Sequence, residues 1–365
     1  DTPTIAELNA IAGGTTGTTT AALSGNKADL ATLTTASDDA ITMTVTDAVT
    51  VAQFSTLDGK TNVGVILQGG ISDTAANLAP SGTASSGLTN STTQDGDVAI
   101  TITGTAPTVT ELNKIASLTT GVVTASISGN KTTLAGLTTA STDAVTATVT
   151  DAVTVAEFNT LDGKTNVGVI LSGGVSDAAA AYASTTGTAT SGRTAIAAQD
   201  EDAALTVTDA ATVAQANSVA TATTGTVQFS GGITDSTTNL MNGDSSAIST
   251  GLSTAKTDDS DVVITANTAV TVAQFNLLDA ATNASCNTSS ASTLAAIRWS
   301  ILNVTKCQKR SRLTANTSAN TCSPSFRSRS NTKGSSLSGG CSSKSSAASG
   351  SVIKHRLVSK KTECP

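Results

Sequence analysis

The chain has 365 residues, of which 38% are hydrophobic but only 2% aromatic, so it lacks the bulk for one deep globular core and suits a thin layered one. Its net charge of −7 combines two unlike parts: residues 1–285 hold 26 acidic and 7 basic side chains and no cysteine, whereas residues 286–365 hold one acidic side chain, 13 basic ones and all five cysteines. That balance excludes nucleic-acid binding by the first part, and the position of the only histidine, His355, excludes a Ser-His-Asp or Cys-His catalytic centre from it.

From the N-terminus, Thr4–Glu7 is the first of six Thr-x-x-Glu/Gln patterns; the others are Thr50–Gln53, Thr108–Glu111, Thr154–Glu157, Thr212–Gln215 and Thr271–Gln274. In such a box the threonine hydroxyl accepts from the amide three residues on, and the Glu or Gln reaches back to the threonine amide. Each box therefore opens a predicted short helix. The apolar run that follows has i, i+3, i+6 spacing: Val51, Phe54, Leu57, then Val155, Phe158, Leu161. Phe54, Phe158 and Phe275 are expected at equivalent positions against a strand layer. Asp58-Gly59 and Asp162-Gly163 are expected to stop their helices, with glycine in the left-handed conformation.

Strands are predicted on either side of these helices. Ile41, Met43 and Val45 alternate with Thr42, Thr44 and Thr46, and Val145, Ala147 and Val149 alternate with Thr146, Thr148 and Thr150. Further apolar runs lie at Val63–Leu67, Val122–Ile127 and Val167–Leu171. Weaker helices are expected at Asn26–Leu33, Asp73–Ala79, Asn130–Leu137 and Asp177–Ala183. Inserts rich in Gly, Ser, Thr and Asp, such as residues 80–97 and 184–202, read as loops on one rim.

The repeat is explicit. Residues 44–67 read TVTDAVTVAQFSTLDGKTNVGVIL and residues 148–171 read TVTDAVTVAEFNTLDGKTNVGVIL, an offset of 104 residues. The predicted fold class is an α/β repeat solenoid over residues 1–285, with parallel strands alternating with short helices, a 104-residue super-repeat, and sub-units of about 46 and 58 residues. Asp1 stands three residues before the first capping threonine, so the chain reads as a piece of a longer array.

Residues 286–365 are a basic, Ser- and Cys-containing low-complexity tail, expected to be disordered apart from a helix at Leu294–Val304 around Trp299. Three readings stand for it: a basic segment that binds an anionic partner, a disulfide-forming segment, or sequence that is not native in-frame. Cys286, Cys307, Cys322 and Cys341 lack the CxxC spacing of a zinc site.

Gly-rich phosphate loops are absent, and SGNK at Ser24–Lys27 and Ser128–Lys131 is a polar turn. Asp47, Asp151 and Asp209 recur at equivalent places and read as a ladder of turn-forming residues. Acidic groups precede strands at Asp38 and Asp39, Asp95 and Asp97, Asp200 and Asp202, and Asp258, Asp259 and Asp261. Clustered hard oxygens suit calcium, so these are the candidate metal ligands; no other cofactor is implied. The rows Thr42/Thr44/Thr46, Thr101/Thr103, Thr146/Thr148/Thr150 and Thr206/Thr208 offer a second candidate, a threonine face matched to ice or a polysaccharide, interrupted at Val63–Leu67 and Val167–Leu171.

The TVTDAVTVAQFSTLD unit with its TTGVVTASISG strand resembles repeats in very large secreted or cell-surface proteins of bacteria, particularly aquatic and cyanobacterial ones. The resemblance covers residues 1–284. It implies an adhesin-like or surface-layer-like role and no catalytic residues. The expected function is a non-enzymatic extracellular structural or adhesive repeat protein, a stalk or spacer. Its expected partners are a cell surface, a matrix or other copies of itself. The alternative is a calcium-binding solenoid or a Thr-face ice- or polysaccharide-binding protein. No stretch is long and apolar enough to span a membrane.

Overall fold

The computed structural model describes residues 2–288. The expectations for residues 289–365, including the helix at 294–304, lie outside the described residues. The strands are β1 (Thr20–Gly25), β2 (Ala40–Val45), β3 (Val65–Ile66), β4 (Ile71–Thr74), β5 (Ile100–Thr103), β6 (Val123–Gly129) and β7 (Ala144–Val149). They continue as β8 (Val169–Ile170), β9 (Val175–Asp177), β10 (Leu205–Val207), β11 (Val227–Phe229), β12 (Ile233–Asp235), β13 (Ile264–Ala266) and β14 (Cys286–Thr288). Every strand pair is parallel and sequential, in the groups β1–β2–β3, β4–β5–β6–β7–β8, β9–β10–β11 and β12–β13–β14. Single parallel bridges Val49–Ile71, Val153–Val175 and Ala211–Ile233 continue the pairing from one group to the next.

The helices are α1 (Ile5–Gly14), α2 (Lys27–Leu30), α3 (Val51–Asp58), α4 (Ala75–Leu78), α5 (Ser86–Gln94), α6 (Val109–Ala116) and α7 (Lys131–Leu134). They continue as α8 (Val155–Asp162), α9 (Ala179–Tyr182), α10 (Ser191–Gln199), α11 (Val213–Ala220), α12 (Thr237–Leu240), α13 (Thr250–Asp258) and α14 (Val272–Asp279). All six expected capping boxes form, opening α1, α3, α6, α8, α11 and α14. The weaker helices at α2, α4, α7 and α9 are single turns, shorter than the sequence implied.

The period-two pattern holds: Ile41, Met43 and Val45 are buried, as are Val145, Ala147 and Val149. Val51, Phe54 and Leu57, with Val155, Phe158 and Leu161, pack beneath them in one continuous core. Phe275 occupies the same helical position but is only partly buried. The reason lies in the inserts, which fold otherwise than expected. They are not loops: α5, α10 and α13 lie within them and pack on α3, α8 and α11, whereas α14 has no such cover among the described residues.

A Ser/Thr-rich insert can be helical because its hydroxyls find partners along the helix itself. Ser85, Thr190 and Ser249 accept the amides of Leu88, Arg193 and Leu252 at the N-caps. Thr89 and Thr93 donate to the carbonyls of Ser85 and Thr89 at 3.0 and 2.7 Å. Gly87 and Gly192 admit the neighbouring helix closely: a Cβ on Gly87 would stand 3.0 Å from Val51 Cβ, and one on Gly192 would overlap Val155.

Gly59 and Gly163 also differ from expectation. Both have φ −65° and ψ −4°, so the chain leaves the helix through a right-handed turn that needs no glycine freedom. The runs at Val63–Leu67 and Val167–Leu171 contribute only two strand residues each. Side chains replace part of the ladder: Gln94 accepts the Val65 amide at 2.8 Å, and Asp95 accepts the Leu67 amide at 2.6 Å. The boundary at 285 moves as well, because β14 runs to Thr288 and pairs Cys286 with Ile264. Burial, with the charge of Asp279 as a lesser cause, pushes the Cys286 thiol up to about 12.

Arg193 breaks the core pattern. It stands where the other two insert helices place fully buried Leu88 and Leu252. One guanidinium nitrogen donates to the Ser218 carbonyl at 2.9 Å, while Nε is buried without an acceptor. Burial lowers its pKa. Arg193→Leu is expected to stabilise the fold by about 1–2 kcal/mol, because it removes an unsatisfied buried donor and restores the packing of its equivalents. Urea midpoints of the two proteins check this, and an unchanged or lower midpoint would show that the arginine is well accommodated.

Candidate functional site

The predicted acidic groups divide into inner and outer members. Asp39 Oδ1 accepts the Thr19 amide at 2.7 Å and its Oδ2 accepts the Ala36 amide at 2.9 Å. Asp95 and Asp200 accept the amides of Leu67 and Leu171, both at 2.6 Å, and Asp259 accepts that of Phe229 at 2.7 Å. Each inner carboxylate thus holds an amide at the end of a strand, or next to one, in an earlier segment. Asp38, Asp97, Asp202 and Asp261 are exposed at the entrances to β2, β5, β10 and β13, and Asp258 ends α13.

The structure brings Asp95 to Asp97 and Asp200 to Asp202, close enough that each outer carboxyl raises the pKa of the inner one. Calcium takes six to eight oxygens. Among the described residues, no three His, Cys, Asp or Glu side chains are placed to hold a metal ion.

Sequence reasoning missed a second set of carboxylates. Asp73, Asp177 and Asp235 accept the first helical amides of α3, α8 and α11, from Val51, Val155 and Val213, at 3.0–3.1 Å. Asp47, Asp151 and Asp209, read as turn formers, accept the first helical amides of α2, α7 and α9, from Lys27, Lys131 and Ala179, at 2.6–2.7 Å. A carboxylate at a helix N-terminus satisfies an orphan donor and opposes the positive end of the helix dipole. In every case the acceptor lies 20 to 30 residues further along the chain.

Threonines form a parallel series. The hydroxyls of Thr61, Thr119, Thr165, Thr223 and Thr282 donate to carbonyls 20 to 22 residues back, at Ile41, Val98, Asp143, Ala203 and Val262. The signal for both series was the 104-residue offset itself, which maps Asp73 on Asp177, Asp47 on Asp151 and Thr61 on Thr165.

Titration of these carboxylates has two signs. The amides of Ala36 and Thr19 hold Asp39 below the ordinary carboxylate range, and the Thr154 amide with Lys131 does the same for Glu157. Burial raises Asp95, Asp200 and Asp258, and the hydrogen bond and charge of Asp97 and Asp202 add to it for the first two. Groups held low give stability that is present above the unfolded value and lost as pH falls through the folded one. Groups pushed up act oppositely, stabilising as pH falls through their raised values. The thermal midpoint is therefore expected to rise as pH falls from neutrality toward the ordinary carboxylate range, about pH 4, and to fall again below it. A midpoint that only declines from pH 7 would show that the raised carboxylates are not linked to folding.

The remaining candidate is the outer face of the strands. Register sets Ser72, Thr101 and Thr124 side by side across β4–β6, then Ser128 beside Thr148 and Thr148 beside Ile170. Ser176, Thr206 and Gln228 form a row across β9–β11, as do Thr234, Thr265 and Asn287 across β12–β14. The interruptions fall where the sequence placed them, at Ile66 and Ile170, which are 46% and 42% exposed. No outward strand residue among those described is charged; Asp73, Asp177 and Asp235 point inward to the helix ends.

A polar groove of about 420 Å³ lies between the N-termini of α11 and α13, lined by Thr212, Asn217, Asp235, Asn239 and Ser249 among others. The Asp235 carboxylate in it is already engaged, by the amides of Val213 and Ser236 and by the Asn239 side chain. No described helix is long and apolar enough to cross a membrane. Comparison with protein-family models, curated proteins and solved structures gives no match.

Proposed function

We propose that residues 2–288 stack as an α/β solenoid and act as a non-enzymatic extracellular spacer or adhesive stalk, held between a cell surface and a matrix or other copies of the chain. The observation that carries this reading is the forward capping of helices: each of these helix N-termini is completed by an aspartate 20 to 30 residues further along the chain. Such a chain derives its stability from neighbour-to-neighbour stacking, and length is what it adds with each repeat. The titratable groups serve that stacking, and reach is the role that uses it. Small-angle X-ray scattering of the full chain tests the proposal. A rod-like cross-section with a long tail in the distance distribution is expected, and a compact globular profile would refute it.

A second reading is favoured by the uncharged Ser/Thr rows: contact with a neutral polysaccharide or crystalline surface through the outer strand face. Retention on insoluble polysaccharide, lost when Thr101, Thr124 and Thr148 are replaced by lysine, is its expected result. Equal retention of wild type and variant would count against it.

A further inference from the structure

The chain contains one Asn-Gly pair, Asn242-Gly243, in the turn that joins α12 to α13. The turn is tightly closed. Met241 and Ile248 meet in an antiparallel bridge, the Asn242 amide donates to the Ala247 carbonyl at 2.9 Å, and the Ser249 amide donates to the Leu240 carbonyl at 2.9 Å. Ser249 is the N-cap of α13, so this turn sets where that helix starts. The second insert closes in the same way through the Ala183–Ala189 bridge, and there Ser184 Oγ accepts the Thr188 amide at 3.1 Å. The first insert has Pro80 at this place. Closing the turn therefore does not require an asparagine followed by glycine.

The pair has a reactive geometry of its own. Gly243 is exposed, a Cβ there would meet nothing within 4 Å, and its amide has no acceptor among the described residues. That nitrogen can swing onto the side-chain carbon of Asn242 and close a five-membered ring. A side chain on the following residue crowds the approach, as at Asn62-Val63 and Asn77-Leu78. Asn159 and Asn217 lie inside α8 and α11, where helical hydrogen bonds already use the amide that follows. Asn242 Oδ1 accepts the Ala247 amide at 3.1 Å, and Nδ2 donates to Ser246 Oγ at 3.2 Å. The first of these bonds polarises the side-chain carbonyl, whose oxygen is the atom that gains negative charge as the ring closes. The Ser246 hydroxyl in turn donates to Asp244 at 2.7 Å.

We propose that Asn242 is a self-modifying site. The Gly243 nitrogen attacks Asn242 Cγ and forms the N–C bond of a succinimide as the Cγ–Nδ2 bond breaks. The Gly243 amide proton goes to solvent base, and Nδ2 leaves as ammonia after taking a proton from water. Water then opens the ring, at one carbonyl to aspartate and at the other to isoaspartate, whose main chain runs through the former side-chain carbon. Nothing is oxidised or reduced, and water is the only co-reactant. Either product sets a new charge near Asp244 and lacks the Nδ2 donor to Ser246. Isoaspartate also lengthens the main chain inside a turn where Ser245 is already held at φ +57°. The converted turn holds Ser249 less firmly, so α13, which packs on α11, loosens as the protein ages.

The test is ageing of the full chain in mildly alkaline buffer, then tryptic digestion and mass spectrometry of the peptide 194–256. Conversion is expected at Asn242 ahead of Asn217 and Asn239, which share that peptide, and faster than in a synthetic peptide of residues 240–249. Gly243→Val, at an exposed position with open space around it, is expected to slow conversion roughly tenfold or more. Ala247→Pro removes the amide that meets Oδ1 and is expected to slow it severalfold; the valine variant keeps the test valid if the proline distorts the turn. Amide exchange across Thr250–Asp258 is expected to quicken in the converted protein. Conversion slower in the folded chain than in the peptide, no preference for Asn242, or a rate that Gly243→Val leaves unchanged overturns the proposal. Unchanged exchange across α13 after conversion overturns the loosening.

Discussion

Gly173→Ala is expected to destabilise the protein by on the order of 3–5 kcal/mol, or to prevent folding of the segments around it. Gly173 follows β8 and crosses the backbone at Asp151 so closely that a Cβ would overlap the Asp151 carbonyl group. Its amide donates to the Val149 carbonyl at 3.1 Å, which fixes the crossing. The next residue, Gly174, has φ +73°, so the turn cannot shift the clash onto a neighbour that tolerates a side chain. Gly69 and Gly231 make the same overlap with Asp47 and Asp209. Circular dichroism during urea denaturation, with exposed Ala156→Gly as a helix control, is the measurement. A loss below about 1 kcal/mol would show that the segments are further apart than this crossing requires.

Phe158→Ala is expected to cost about 3–5 kcal/mol, because the ring is 0% exposed beneath β7 and the helix above it leaves little room to collapse. The same substitution at Phe275 should cost roughly half as much, since part of that ring already meets solvent. Equal losses at the two sites would mean that α14 is covered in solution as fully as α8. A loss under about 0.5 kcal/mol at Phe158 would remove the helix from the core altogether.

The elements most legible in the sequence were those whose signal is local. A Thr-x-x-Glu/Gln box is satisfied within four residues, and all six were read correctly from spacing alone. The Ile41–Val45 alternation likewise carries its own period, and it fixed which face of the strand is buried. The inserts were misread because Ser, Thr and Gly are loop formers by propensity, and only tertiary contact decides otherwise. Gly87, for instance, has no helical virtue until Val51 lies against it.

The amide partners of the acidic residues were illegible for the same reason. Asp95 looks like a metal ligand beside Asp97, but its partner is an amide 28 residues earlier, at Leu67, and no local pattern announces that distance. Asp73 and Asp177 drew no attention as acceptors, although the repeat places them identically behind Val51 and Val155.

Forward capping has a consequence for how such a chain is made. The acceptor for the Lys27 amide lies 20 residues downstream, that for Val51 lies 22 downstream, and that for Ala179 lies 30 downstream. During synthesis, a newly emerged helix therefore waits for residues still inside the ribosome before its first turn is complete. Order should advance along the nascent chain with a lag of about one strand segment, each segment sealing the one before it. A chain stalled mid-repeat would keep a frayed leading end, open to proteases, while everything behind it is already closed.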